Sequence, residues 1–438
     1  MNFRECAEHI FLAGVKGVLP GRIISDTLSV QGPLMRAGDF SYDLNRFNNV
    51  YVLGAGKASA ALGHYLEILL GDRIRAGHIV TKYGFYIKLK RISVTEAGHP
   101  VPDANSFAAT REIIKLAENA GEEDLVICLL SGGGSSLLAD YPPESTPGEM
   151  MLFNDMLIRC GADIAEMNIV RKHLSGVKGG HLARYIWPAT SVTLYLSDVP
   201  GDAPETVASG PTVPDHSSYG DAVGIIEKYG IRNDMPPSLF THLEDGIRGI
   251  IPDTPKPGDI IFSRSEIIMA GNNLTALESA REEALKMGFY TEIVTNELTG
   301  DVVDAASIIT GKIEACRNNH DMPKPLCLLF GGETTVKVSG DGLGGRNQHL
   351  ALGMAMRLQD IPGVTFLSAG TDGNDGNTDM AGAIVDSGTV HEALSMNVDP
   401  ERFSREFDSF NFFRSAGGHV YTGPTMTNVM DLAVAIIE

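Results

Sequence analysis

The stretch Val50-Tyr51-Val52-Leu53-Gly54-Ala55-Gly56-Lys57-Ala58-Ser59, leading into the helix-like 58–70, decides how the chain is read. An apolar run that ends in glycines and opens a helix is a strand-to-helix turn of an α/β sheet. A helix beginning there presents backbone N–H groups and the positive end of its dipole, and glycines remove the Cβ atoms that would hold an anion away. Lys57 then stands where a phosphate would lie, with Gly54 and Gly56 beside it. Two standard motifs fail on the letters. The P-loop requires a glycine where Tyr51 stands and a hydroxyl where Ala58 stands. The dinucleotide fingerprint has Ser59 for its third glycine, and the next strand, 79–81, ends at Lys82 where an acid should bind the ribose.

The same rhythm repeats outward from this turn. Strand-like runs at 50–53, 79–81, 125–130 and 192–196 alternate with helical patterns at 106–120 and 147–165. This predicts a parallel sheet covered by helices. The proline-rich stretch 236–257, enclosing a helical pattern at 238–249, predicts a boundary between a domain over 1–240 and one over 255–438. The second α/β domain takes candidate strands at 267–270, 290–294, 325–330, 334–338, 364–368 and 419–422. Its candidate helices are 274–287, 301–317 and 348–358.

A chain of 438 residues with 43% hydrophobic content is long enough for two cores. Its formal charge of −20 excludes a nucleic-acid footprint, while local basic groups leave small anions possible. Cys6, Cys128, Cys160, Cys316 and Cys327 are scattered without a Cys-x-x-Cys pair, which predicts a reducing compartment and no structural zinc. The opening 1–18 carries Glu5 and Glu8 on an amphipathic pattern and reads as a helix, not a signal peptide. The expectation is a soluble cytoplasmic protein with no membrane or nucleic-acid partner, and a homo-oligomer left open.

Functional residues of open α/β sheets gather at the carboxyl ends of the strands. After the third strand comes Ser131-Gly132-Gly133-Gly134-Ser135-Ser136, whose amides and hydroxyls suit a carboxylate or phosphate. A serine-nucleophile elbow is absent there, because Leu137 stands where its last glycine would be. After the fourth strand, Asp198 is placed to accept a proton, to join a magnesium shell, or only to cap its loop. The run 340–348 sets Arg346 at the mouth of a helix, where its fork suits phosphate or carboxylate. The acidic loop 369–379 fails the EF-hand pattern at Met380 and Asp386, so Asp372 and Asp375 either face a metal or shape turns. Arg171-Lys172-His173 with Lys178 reads as a solvated basic face, and His99 as a hydrogen-bonded structural histidine.

Taken in order, these segments resemble the class II glycerate kinases, whose second half is called MOFRL and whose members are often labelled hydroxypyruvate reductases. The resemblance rests on Gly54–Ala58, Glu96–Asp103, Leu130–Ser136, Arg171–Leu182, Ser197–Asp202, Ala208–Asp215, Gly331–Thr335, Gly344–Gln348, Ala369–Gly376 and Thr422–Asn428. It implies a Rossmann-like N-terminal domain, an α/β MOFRL domain and an active site in the cleft between them. It also implies ATP- and Mg2+-dependent phosphoryl transfer to D-glycerate, generally at the 2-hydroxyl. Lys57, Asp198 and Arg346 match the family's catalytic positions one by one, and the expectation is that Lys57 and Arg346 clamp phosphate or the glycerate carboxylate. Gly300-Asp301-Val302-Val303 departs from the family pattern, which puts a ligand contact from that turn in doubt. The rival readings are an NAD(P)H-dependent hydroxypyruvate reductase, disfavoured by Ser59 and Lys82, and a non-catalytic nucleotide or metabolite sensor.

Overall fold

The computed structural model describes residues 2–319, 321–338 and 340–438. The chain divides into two compact units, one formed by 23–197 with 202–270 and the other by 1–22, 198–201 and 271–438. A small antiparallel meander, β1 (Leu28–Gln31), β2 (Leu34–Ala37) and β3 (Phe40–Asp43), opens the first unit.

That unit's main sheet contains β4 (Asn49–Ala55), β5 (Ile74–Lys82), β6 (Ile92–Ala97), β7 (Asp124–Leu130), β8 (Thr190–Leu196) and β9 (Ser265–Gly271). Its order is β6-β5-β4-β7-β8-β9, and the pairings from β6 through β8 are parallel. β7 is buried along its whole length, as a strand covered by helices on both faces must be. Connections run outward in both directions from β4 and β7, so the switch point lies between their carboxyl ends.

The second sheet contains β10 (Tyr290–Leu298), β11 (Leu326–Gly332), β12 (Val364–Gly370), β13 (Gly382–Asp386), β14 (His419–Val420) and β15 (Asp431–Ile437), in the order β10-β11-β15-β12-β13-β14. β10 and β11 are parallel, but β15 runs antiparallel between β11 and β12. Leu326, Leu328 and Phe330 join a core with the helices Val302–Asn318 and Arg346–Leu358.

Several sequence expectations shift. The strand assigned to 267–270 of the second domain is the edge of the first sheet, joined laterally by Ser191 N–H to Arg264 O at 2.9 Å and by Ser191 Oγ to Ser265 Oγ at 2.9 Å. The opening helix Phe3–Gly17, placed with the first domain by the 1–240 reading, belongs to the other unit. Its small residues explain this, because a Cβ on Gly14 would meet Leu432 Cδ1 at 2.8 Å and one on Gly17 would meet Ser279 Oγ at 2.0 Å. Arg4 adds Nε to Asp386 Oδ2 at 2.6 Å. The run 334–338 forms no strand among its described residues, only a bridge between Thr335 and Asp301. The helix expected over 147–165 is two helices, Pro147–Arg159 and Ile164–His173, separated at Gly161, whose φ of 86° a helix cannot use. The departing turn is a helix start, since Asp301 Oδ1 accepts Val303 N–H at 2.9 Å. No helix among the described residues is long and apolar enough to cross a membrane.

Candidate active site

The turn that opened the reading sits at the end of β4, on the switch point. Its backbone is not open to a ligand as expected. Gly56 N–H bonds Val80 O at 3.1 Å, Lys57 N–H bonds Gly132 O at 2.9 Å, and Ala58 N–H bonds Ser131 Oγ at 3.0 Å. Ser59 donates its hydroxyl to Leu129 O at 2.9 Å. The glycines make room for protein, not for phosphate. A Cβ on Gly54 would lie 2.9 Å from Ile79 Cγ1, and one on Gly56, at φ 138°, would lie 2.1 Å from Ser131 Oγ. Ser131, 1% exposed, is therefore a stitch between the two turns and not a ligand group.

The donors lie one strand over. The backbone N–H groups of Gly132, Gly133 and Ser135 form no hydrogen bond among the described residues. Gly133 turns with φ 80°, and a Cβ there would meet His99 Cδ2 at 2.8 Å and Lys57 Cγ at 3.5 Å, so His99 and the lysine stem flank this backbone. Gly134 lets the turn approach Ala208, whose Cβ would be 2.6 Å away. Ser135 Oγ pairs with Ser209 Oγ at 2.8 Å, and Ser209 Oγ reaches Asn168 Oδ1 at 2.9 Å. Burial, then Lys57 and Lys82, push the His99 pKa down to about 4. His99 is thus neutral at neutral pH and reports a positive local potential.

Behind this turn, the basic run is a buried network instead of a solvated face. Lys172 is 5% exposed and pairs with Asp215 at 3.2 Å. His173 Nε2 meets Asp253 Oδ1 at 3.1 Å, and Arg171 Nε donates to Asn154 Oδ1 at 3.1 Å. Lys178 Nζ donates to Leu138 O at 2.6 Å, and burial lowers its pKa to about 8 against the pull of Asp140. The letters could not show this, because the partners lie 17 to 80 residues away along the chain.

In the other unit, Arg346 starts its helix with its fork already engaged. Nε and Nη2 hold Asp431 at 2.5 and 3.0 Å, and Nη1 meets Glu333 at 2.7 Å. Burial works against its charge, yet Asp431 and Glu333 outweigh burial and hold its pKa above the ordinary arginine value. Asp431 opens β15, a strand the sequence reading missed although 432–437 is a run of apolar residues.

Asp375 caps the same helix. It accepts Asn347 N–H at 3.0 Å and Gln348 N–H at 2.8 Å, and Gly345 is required because a Cβ would lie 2.3 Å from Asp375 Oδ1. Burial raises the Asp375 pKa to about 6 despite these donors. Asp372 shapes its turn by accepting Asn374 N–H at 3.0 Å. Asp198 is grouped with this unit and takes Asn428 Nδ2 at 3.4 Å. No cluster of three or more metal-binding side chains occurs among the described residues.

Comparison with known proteins matches both regions. Residues 6–244 match the profile of a domain of unknown function, DUF4147, and residues 326–431 match the MOFRL family. The chain is 39% identical to the D-glycerate 2-kinase of Thermotoga maritima, over 100% of this chain and 99% of that protein. It is also 39% identical to a putative hydroxypyruvate reductase of Agrobacterium vitis, covering 88% of this chain and 86% of that protein. A solved structure of glycerate kinase from Thermotoga maritima superimposes with a TM-score of 0.87 at 38% identity, covering 100% of this chain and 99% of that one. With both regions matched and such identity along its whole length, the chain belongs to the glycerate kinase family that joins a DUF4147 region to a MOFRL region.

Proposed function

We propose that the chain transfers the γ-phosphoryl group of ATP to the 2-hydroxyl of D-glycerate, giving 2-phosphoglycerate and ADP. One observation carries this reading beyond family membership. At the β4/β7 switch point the backbone donors of Gly132, Gly133 and Ser135 lie in the turn flanked by Lys57 and a neutral His99, in a chain of net charge −20. Such a cluster suits an oxyanion, and phosphoryl transfer asks a protein mainly for alignment and charge stabilisation.

In this reading Lys57 stabilises charge on the transferring phosphate. Asp198 orients the acceptor hydroxyl or a metal. Arg346 serves the same reaction when its Nη1 edge exchanges Glu333 for a substrate oxygen, while the two-point bond to Asp431 keeps the fork oriented. Magnesium needs only one or two protein carboxylates when nucleotide phosphates hold it. That demand fits the lack of a three-ligand cluster among the described residues, with Asp198 as the candidate contact and Asp372 already committed to its turn. When bound, the ion supplies charge neutralisation on the phosphates. A cytoplasmic setting belongs to the same proposal, supported by five free cysteines, four of them buried.

The test is to incubate the purified chain with ATP, Mg2+ and D-glycerate, then add enolase alone. ADP with prompt phosphoenolpyruvate is the expected result. ADP without phosphoenolpyruvate moves the phosphate to the 3-position, and no ADP removes the kinase reading. The reductase reading is opposed by the paired amides of the Gly56–Ser59 turn. NADH oxidation with hydroxypyruvate in the absence of ATP would restore it. A sensor would show ligand-induced thermal stabilisation without ADP release.

A further inference from the structure

The unit that carries the switch-point turn also contains a cavity of about 570 Å³, among whose lining residues are Tyr141, Tyr185, Tyr219, His242, Arg111 and Arg184. A cavity of this size takes a drug-sized molecule, and a three-carbon acid would leave most of it empty. Its aromatic walls are braced. Tyr141 packs edge-on to Phe107 at 5.4 Å between centroids, and Tyr219 packs edge-on to both His173 at 4.8 Å and His242 at 6.0 Å. Burial holds the pKa of His242 below its ordinary value, and burial with Arg184 takes that of His181, also in the lining, down to about 4. The imidazoles are therefore neutral rings at neutral pH. Flat neutral rings suit stacking on a heterocyclic base, and an arginine fork suits the ring face or the acceptor edge of that base.

The cavity shares one wall residue with a narrow cleft beside the turn that ends β7. Asp140 lines it and also lines a cleft of about 20 Å³ shared by Ser135, Ser136, Arg171 and Lys178. The Asp140 carboxylate is fixed by the Ser175 hydroxyl and by Gly176 N–H at 2.5 Å. A carboxylate offers about four acceptor positions, so it keeps capacity for a sugar hydroxyl.

We propose that this cavity is the nucleoside subsite of a purine nucleotide, with the base among Tyr141, Tyr185 and Tyr219, the sugar beside Asp140, and the phosphates directed toward Ser135 and Lys57. It rests on the kinase reading only in naming that nucleotide as the phosphoryl donor. Both the size of the space and its aromatic character separate it from the acceptor's needs.

The test uses the full chain, with ADP binding followed by calorimetry and 8-azido-ATP photolabelling mapped by mass spectrometry. Tyr141→Ala should weaken ADP binding at least tenfold and raise the KM for ATP correspondingly, with the KM for D-glycerate changed less than twofold. Labelled peptides should fall within 138–145 or 181–186. Should Tyr141→Ala fail to fold, Arg184→Gln carries the same comparison, with an expected loss of about fivefold. Unchanged ADP affinity in the folded variants, or labelling elsewhere, overturns the proposal. So does tripolyphosphate binding as tightly as ATP, since the base would then contribute nothing. Nucleotide bound in this cavity without phosphorylation of D-glycerate supports the subsite and removes the kinase reading. Phosphorylation of D-glycerate with nucleotide affinity untouched by the variants does the reverse.

Discussion

The turns that end β4 and β7 and the loop that enters the helix Arg346–Leu358 look alike as letters, yet they manage charge in opposite ways. Each is glycine-rich, each precedes a helix, and each places a cation at its mouth. At the first, Lys57 and Lys82 both act on His99 in the sense of added positive charge. At the second, Arg346 is bonded by Asp431 and Glu333, with Asp375 buried beside it as the helix cap. The glycines serve close packing of protein segments in both places, Gly56 against Ser131 and Gly345 against Asp375. A glycine-rich turn therefore does not by itself mark a phosphate cradle. The pairing state of the amides and the sign of the neighbours decide it.

The comparison breaks first at Lys57. Lys57→Ala should lower kcat by about 10²- to 10³-fold, the usual cost of removing one group that stabilises transition-state charge. Near-normal turnover with ATP and D-glycerate would overturn the catalytic role proposed for the first turn. The second turn is probed through its acid. Asp431→Ala leaves a guanidinium one-third exposed and short of its two-point partner, and should cost about 2 kcal/mol of stability, read from the urea midpoint. A shift under about 0.5 kcal/mol would mean that Glu333 alone suffices.

Gly56→Ala asks whether glycine there is structural. It forces a Cβ onto Ser131 at a φ that side chains rarely adopt, and should lower stability by about 2 kcal/mol by thermal denaturation. Unaltered stability would return Gly56 to the role of ligand contact.

The smallest effect sharpens the sign of the potential. Removing the Lys57 charge favours the imidazolium, so the His99 pKa should rise from about 4 by roughly 0.5 to 1 unit in Lys57→Ala, followed by NMR titration. Because the folded pKa lies below the ordinary 6.5, protons favour the unfolded chain. The His99 contribution to stability is complete above pH 6.5 and is lost as pH falls from there through about 4. An unmoved pKa would show that burial and Lys82 act without Lys57.

Sequence periodicity and the glycine punctuation determined the α/β class, the parallel first sheet and the turn at its switch point. These rest on local rules, in which an apolar run, a glycine and an amphipathic stretch report a strand, a turn and a helix. Lys57, Asp198 and Arg346 were legible as charged groups at element ends, and the last was placed correctly at the start of its helix. Only the tertiary structure decided that the strand at 265–271 pairs with β8, that the opening helix packs against Leu432 and Ser279, and that β15 runs antiparallel in the middle of the second sheet. It also decided which amides remain available, that the Arg171–Lys178 run is buried, and that Arg346 is held by two acids. Those outcomes depend on partners far apart in the chain. Lateral pairing, close helix contact and the satisfaction of buried charge are set by what folding brings together, and no local pattern encodes them.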